Sequence, residues 1–255
     1  ADQAFTVGFD EGDRYSEVNK AAKVAEKAGL KHHVKIISKQ EFWDALPDVM
    51  YHMDEPLGDA SAVALYFLSK EAAGHVKVVL SGEGADELFG GYNIYREPES
   101  LKKIAWIPFG VRRVIGKLAA KLPDVKGRDF LIRAGMKVEE RFIGNAYIYR
   151  EKEKAQILKN KVTGPSTQEY LRPFFEELES ENRGLLQDME KMQSVDLSYW
   201  LPGDILQKAD KMSMAHSLEV RVPFLDKEVF DFAAKLPKEA KIAAGTTKYI
   251  FRKAV

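Results

Sequence analysis

At 255 residues the chain suits one large domain or two small ones, and its 39 Lys plus Arg balance 39 Asp plus Glu. That balance removes the long-range field that recruits a nucleic-acid backbone or an anionic membrane, and it points to a small partner. Without a single cysteine, disulfides, thiolate metal sites and a cysteine nucleophile are excluded within the chain, and a cytoplasmic location is expected. No apolar run approaches the ~18 residues of a membrane span, and no signal-peptide pattern opens the sequence. The chain starts on Ala1 and ends inside a helical pattern, residues 247–255, so it reads as a piece cut at both ends.

Residues 4–10 (AFTVGFD) alternate and are rich in β-branched and aromatic side chains, the pattern of a strand. Gly12 and Asp13 follow as a turn, and residues 15–28 read as a helix closed by Gly29. A second strand is expected over 32–38. Ser38 and Glu41 form a capping box for the next helix. Another helix spans about 60–73 with Asp59 or Ser61 as its cap, and Gly74 ends it. VKVVL, 76–80, is the continuous apolar run of a strand buried on both faces. This order is the grammar of a parallel, helix-flanked sheet, in which ligands bind at the carboxyl ends of strands. From about 97 onward no further strand is expected. Three segments are drawn: an α/β core over 1–96, a charged helical insert over 97–195, and a helical segment over 196–255.

The stretch SGEGADELFGGY, 81–92, follows the third strand directly. Gly82 and Gly84 let a ligand approach the backbone, and free amides at a helix start favour an anion. Yet Glu83, Asp86 and Glu87 would repel a bare phosphate. A divalent cation resolves the conflict, because Mg²⁺ is held by one or two carboxylates together with phosphate oxygens. The plainer reading, a glycine turn followed by acids that complement a helix dipole, stays open. The spacing is neither a dinucleotide fingerprint nor a Walker A loop.

This run closely resembles the second nucleotide-site loop of the asparagine synthetase family. FTVGFD (5–10), MDEPLGDASAVALYFLSKEA (53–72), LPGDILQKADKMSMAHSLEVRVPFLD (201–226) and TTKYIFRKA (246–254) match in the same order. The resemblance implies an adenine nucleotide alpha hydrolase-like fold, incomplete here, followed by an all-helical half. It implies ATP and Mg²⁺, aspartate as the acceptor, and ammonia from a glutaminase domain outside this chain. The expected reaction forms a β-aspartyl-adenylate and then asparagine. Carried over by position, Val7 meets adenine through its backbone, Ser81 and Gly82 contact the nucleotide, Glu83 is the catalytic glutamate and Asp86 is a Mg²⁺ ligand. On pattern alone Val7 is equally an ordinary core valine, Ser81 a loop cap and Glu83 a solvated acid.

The family's pyrophosphate loop, Ser-Gly-Gly-x-Asp-Ser, and a later catalytic lysine are not in the sequence, so the isolated piece is expected to be inactive. A homodimer is compatible with such a chain. Asp204, Lys208 and Lys211 fall on one helical face. The resemblance sets Asp204, Lys211 and Arg221 on the substrate side, against the plainer reading of surface ion pairs. The five histidines show no metal-ligand spacing, since His32 and His33 point to opposite faces of a strand. Residues 101–121, basic and free of acids, are expected to pack on the core with a basic outer face. Two alternatives remain: another amide-forming relative of the β-lactam synthetase or amidotransferase kind, and a non-catalytic nucleotide-binding homologue.

Overall fold

The computed structural model describes residues 1–10, 17–56, 58–145, 149, 151–160 and 164–254. In chain order these form β1 (Gln3–Phe9), α1 (Val18–Lys27), β2 (Lys31–Ile37), α2 (Lys39–Met53), α3 (Ser61–Ala73), β3 (Val78–Leu80) and α4 (Ala85–Phe89). Then come α5 (Glu97–Lys102), α6 (Phe109–Ala119), α7 (Arg128–Ala134), α8 (Val138–Arg141), α9 (Glu151–Ile157), α10 (Thr167–Glu181) and α11 (Asp188–Val195). A π-helical stretch, Asp196–Leu206, leads into α12 (Gln207–Met214), β4 (Glu219–Arg221), α13 (Lys227–Ala234), α14 (Lys238–Lys241) and α15 (Tyr249–Ala254). The chain packs as two units, one of residues 1–83 and 202–226, the other of 84–201 and 227–255. These units group residues by contact, whereas the segments 1–96, 97–195 and 196–255 group them by element type.

In the first unit β1 and β2 pair in parallel, Gln3 opposite Lys31 through Phe9 opposite Ile37, with α1 as the crossover. The Ser38 hydroxyl accepts from the Glu41 amide and the Glu41 carboxylate accepts from the Ser38 amide, so the capping box forms as expected and starts α2. The Asp59 carboxylate accepts from the Ser61 amide at the start of α3, at 2.8 Å. Helices α2, α3 and α12 bury Val49, Met53, Val63, Phe67 and Met212 together with Ile37 of β2. Gly12 and Asp13, and the first residues of the helix expected from 15, lie outside the described residues.

Three expectations are corrected here. The expected single sheet is two parallel pairs, β1–β2 and β3–β4, and no ladder joins them among the described residues. β4 is a strand where only helix was expected. Its three residues are too short to show alternation, and their strand state comes from pairing with β3, Val78 opposite Glu219 to Leu80 opposite Arg221. Nor is β3 buried on both faces: Val78 is 42% and Leu80 66% exposed. A strand is enclosed only where neighbouring layers cover it, and an apolar run alone does not supply them.

The second unit is helical around Tyr95, Val138, Phe142, Leu171, Phe175, Met189, Met192 and Val195. The 101–121 expectation holds in part. Leu101 and Ala119 are buried, but Trp106, Val114 and Leu118 face outward along with the basic residues. Within this unit the buried Arg141 is paired. Arg141 donates to Glu97 at 2.8 Å, to Asp188 at 2.7 Å and to the Met136 carbonyl at 3.2 Å. No helix among the described residues is long and apolar enough to cross a membrane.

Asp196 lies in this core, fully buried. Its carboxylate accepts from the Tyr95 hydroxyl at 2.6 Å and from the Asn145 side-chain amide at 2.7 Å. Burial outweighs these donors and pushes its pKa up to about 7 from 3.8. The folded state therefore holds this proton more tightly than the unfolded chain. Its contribution should weaken as pH rises from about 4 to about 7. Asp196→Asn should remove that slope. Denaturant unfolding of parent and variant is expected to show the parent losing a few kcal/mol relative to Asp196→Asn across this window, at about 1.4 kcal/mol per pH unit. A stability difference independent of pH would contradict the assignment.

Candidate functional site

The acidic turn begins where β3 ends. The Ser81 amide donates to the Arg221 carbonyl at 2.9 Å, which continues the β3–β4 ladder by one rung. Gly82 is exposed, and a Cβ built there would meet nothing within 4 Å. Glu83 is half-buried, and among the described residues its carboxylate makes no hydrogen bond or ion pair. An open glycine and an unengaged acid thus follow directly on the last ladder residue at the end of a parallel strand, the end at which such folds bind ligands.

The turn continues through Gly84, whose φ of +86° sets the start of α4 and favours glycine. Asp86 and Glu87, in the first turn of α4, have opposite environments. The Asp86 carboxylate is partly exposed, with one oxygen 2.8 Å from the Lys248 ammonium. It lies so close over Gly91 that a Cβ there would come within 1.6 Å of the same oxygen. Glycine at 91 therefore shapes the seat of this carboxylate.

Glu87 is 1% exposed. Its carboxylate accepts from the Tyr92 hydroxyl at 2.6 Å, and that hydroxyl accepts from the Trp200 indole at 3.3 Å. Burial, then the bond to Glu87, raises the Tyr92 pKa far above its ordinary value, so the phenol stays a donor. The Gln193 amide donates to the Glu87 carbonyl at 2.5 Å and to the Leu88 carbonyl at 3.3 Å, satisfying groups that a five-residue helix leaves open. Lys241 in turn donates to Gln193 at 3.2 Å, and burial lowers its pKa. Glu87 is thereby a structural group, while the Asp86 carboxylate stays partly exposed.

Of the other predicted residues, Val7 packs its side chain against the first unit's core, so any ligand role falls to its backbone. Asp204 is buried on Lys208 at 2.8 Å, and Lys208 also bonds Asp59. Burial disfavours the Lys208 charge, but the bonds to Asp204 and Asp59 outweigh it and raise its pKa. Lys211 pairs with Asp54 and not with Asp204, and Arg221 is exposed beside Glu219 at 2.8 Å. The structure thus joins Asp204 to Lys208 and leaves Lys211 and Arg221 on separate partners. In the second unit a cleft of about 1930 Å³, lined in part by Arg96, Glu99, Arg112, Glu140, Asp188 and Lys238, contains none of the predicted residues.

Lys248, Gly91, Tyr92 and Gln193 were not singled out from the sequence. Lys248 stands in the matched TTKYIFRKA segment and Gly91 in the glycine-rich run, so both had a signal. Gln193 had none.

A family model described as asparagine synthase matches residues 2–255. The chain is 48% identical over 253 residues to glutamine-hydrolyzing asparagine synthetase 1 of Bacillus subtilis, covering 99% of this chain and 39% of that protein. It is 45% identical over 252 residues to a putative glutamine-hydrolyzing asparagine synthetase of Mycobacterium tuberculosis, covering 98% and 38%. An amidase of Gibberella zeae is 26% identical over 273 residues, covering 99% and 40%. The chain therefore spans about two-fifths of the length of these relatives.

The ion triad on buried Lys208 offers a stability test. Replacing Lys208 by Ala leaves Asp59 and Asp204 without their shared cation, and should cost about 3–5 kcal/mol in urea unfolding. A cost below about 1 kcal/mol would show that Lys208 is not the group that holds the two acids.

Proposed function

The chain belongs to the asparagine synthase family, and from that premise we propose that it carries the ATP-dependent, amide-forming chemistry of asparagine synthesis. Supporting observations come from the acidic turn. Three carboxylates in five consecutive residues, 83–87, are sorted into an unengaged acid, a partly exposed acid on a lysine, and a buried structural acid.

The residues present suit ATP·Mg²⁺. Asp86 offers carboxylate oxygens of the hard type that Mg²⁺ takes, and Gly91 leaves room for them. Bound there, the ion would neutralise phosphate charge and make the diphosphate a better leaving group. Gly82 presents its backbone to the nucleotide without steric hindrance, Ser81, whose amide is held by the Arg221 carbonyl, offers its hydroxyl, and the Val7 peptide reads adenine. Lys248, beside Asp86, offsets its charge and holds its orientation. Aspartate's side-chain carboxylate attacks the α-phosphorus, forming the acyl–phosphate bond as pyrophosphate departs. Ammonia then adds to the acyl carbon, and AMP leaves with the electron pair of the broken bond. Glu83, unengaged and adjacent to Gly82, takes the proton that nitrogen loses, which is general-base work.

Asparagine as product and ammonia from glutamine belong to the same proposal, supported by the relatives' names. A second reading is another amide-forming relative whose acceptor is a different carboxylic acid, and product analysis with aspartate, glutamine and ATP separates the two.

The test is AMP and asparagine formation by the full-length reading frame carrying this sequence. Glu83→Gln should lower both by at least about a hundredfold with the circular dichroism spectrum unchanged. Asp86→Asn should raise the Mg²⁺ concentration needed for half-maximal rate by about tenfold. Unaltered AMP formation in a folded Glu83→Gln protein would remove Glu83 from the chemistry.

A further inference from the structure

Away from the acidic turn, the first unit gathers three donor side chains from separate places in the chain. His33 comes from β2, Glu71 from the last turn of α3, and His75 from just beyond that helix. One donor atom of each lies within 4.8 Å of the other two. The His75 Nε2 and a Glu71 oxygen are 3.5 Å apart. The His33 and His75 rings approach to 4.0 Å between centroids, tilted by 42°.

An ion pair between Glu71 and His75, four residues apart across the end of α3, would explain two of these groups. It does not explain why a second imidazole, from a strand, sits against them. Two imidazoles in contact repel if both are protonated, whereas two neutral rings and a carboxylate form an N, N, O donor set.

The surroundings fix the rings. His33 Nε2 bonds the Gln3 side-chain oxygen at 2.9 Å. An imidazole that gives one nitrogen to such a partner keeps the other for a metal, the arrangement that orients metal-binding histidines. Phe5 stacks on His33 at 5.0 Å and lies 5.8 Å from His75, an apolar wall that limits ring rotation. His32, by strand alternation, turns to Thr6 instead, at 3.0 Å.

From this cluster we propose that His33, Glu71 and His75 form a binding site for a borderline divalent cation of the zinc class. Two imidazoles and one carboxylate suit such ions and not Mg²⁺ or Ca²⁺, which prefer all-oxygen shells. Ligand atoms about 2.0–2.2 Å from zinc stand roughly 3.4 Å apart, so the widest pair closes by side-chain torsion alone. Three protein ligands leave a fourth position for water. The site ties the edge strand β2 to the end of α3, and it uses none of the residues assigned to the nucleotide.

Zn²⁺ titration calorimetry of the full-length protein tests this, with His33→Gln, His75→Gln and Glu71→Gln as comparisons. One zinc equivalent should weaken at least tenfold in each histidine variant and less in Glu71→Gln. Crystals of the unaltered protein soaked in Zn²⁺ should show an anomalous peak within coordinating distance of His33, Glu71 and His75. This second reading needs no variant, so misfolding cannot mimic it. Zinc binding equal in parent and folded histidine variants, or no peak at these three residues, would overturn the proposal.

Discussion

Three carboxylates within five consecutive residues cannot share one environment, and the structure around residues 83–87 follows from how they are separated. Packed together they would repel one another and drive protons onto themselves. Glu87 is taken inward, where Tyr92 and a helix start receive it, and Gln193 closes the carbonyls beyond it. That inward anchor fixes α4, and α4 fixes Asp86 on the outer side, over Gly91 and beside Lys248. Glu83 precedes the left-handed glycine and is left without a partner. The acid that would do chemistry is the one the fold does not use.

Elsewhere, two buried cations are held by carboxylates. Arg141 serves Glu97 and Asp188 in the second unit, and Lys208 serves Asp59 and Asp204 in the first. Each arrangement connects segments distant in sequence, and losing one partner would strand a charge in a low-dielectric interior. The Lys208 triad also shows why Asp204 differs from Lys211 and Arg221. Its carboxylate is already committed within the first unit, while the other two are held at the surface by single carboxylates.

Local signals carried much of the fold. The β1 and β2 strands, the Ser38–Glu41 box and the helix ending at Gly74 follow from spacing and capping, which act over a few residues. The turn at 81–92 announced itself because glycines and acids conflict unless something is bound. What was not legible depends on distant partners. Strand β4 takes its state from β3, and Lys248 becomes relevant only when α15 is placed near α4's carboxylate. Val78 and Leu80 read as buried from their apolarity, but cover is a property of layers and not of a run. The His33, Glu71 and His75 grouping likewise has no complete spacing signal, since β2 adds the third group to a pair at the end of α3.

The most direct measurement of the central claim is hydrogen–deuterium exchange on the full-length protein with and without ATP·Mg²⁺. Slowed exchange of the amides at 81–86 on nucleotide addition is the result expected if this turn grips the triphosphate. Saturating nucleotide that leaves those amides unchanged and protects another region would contradict it.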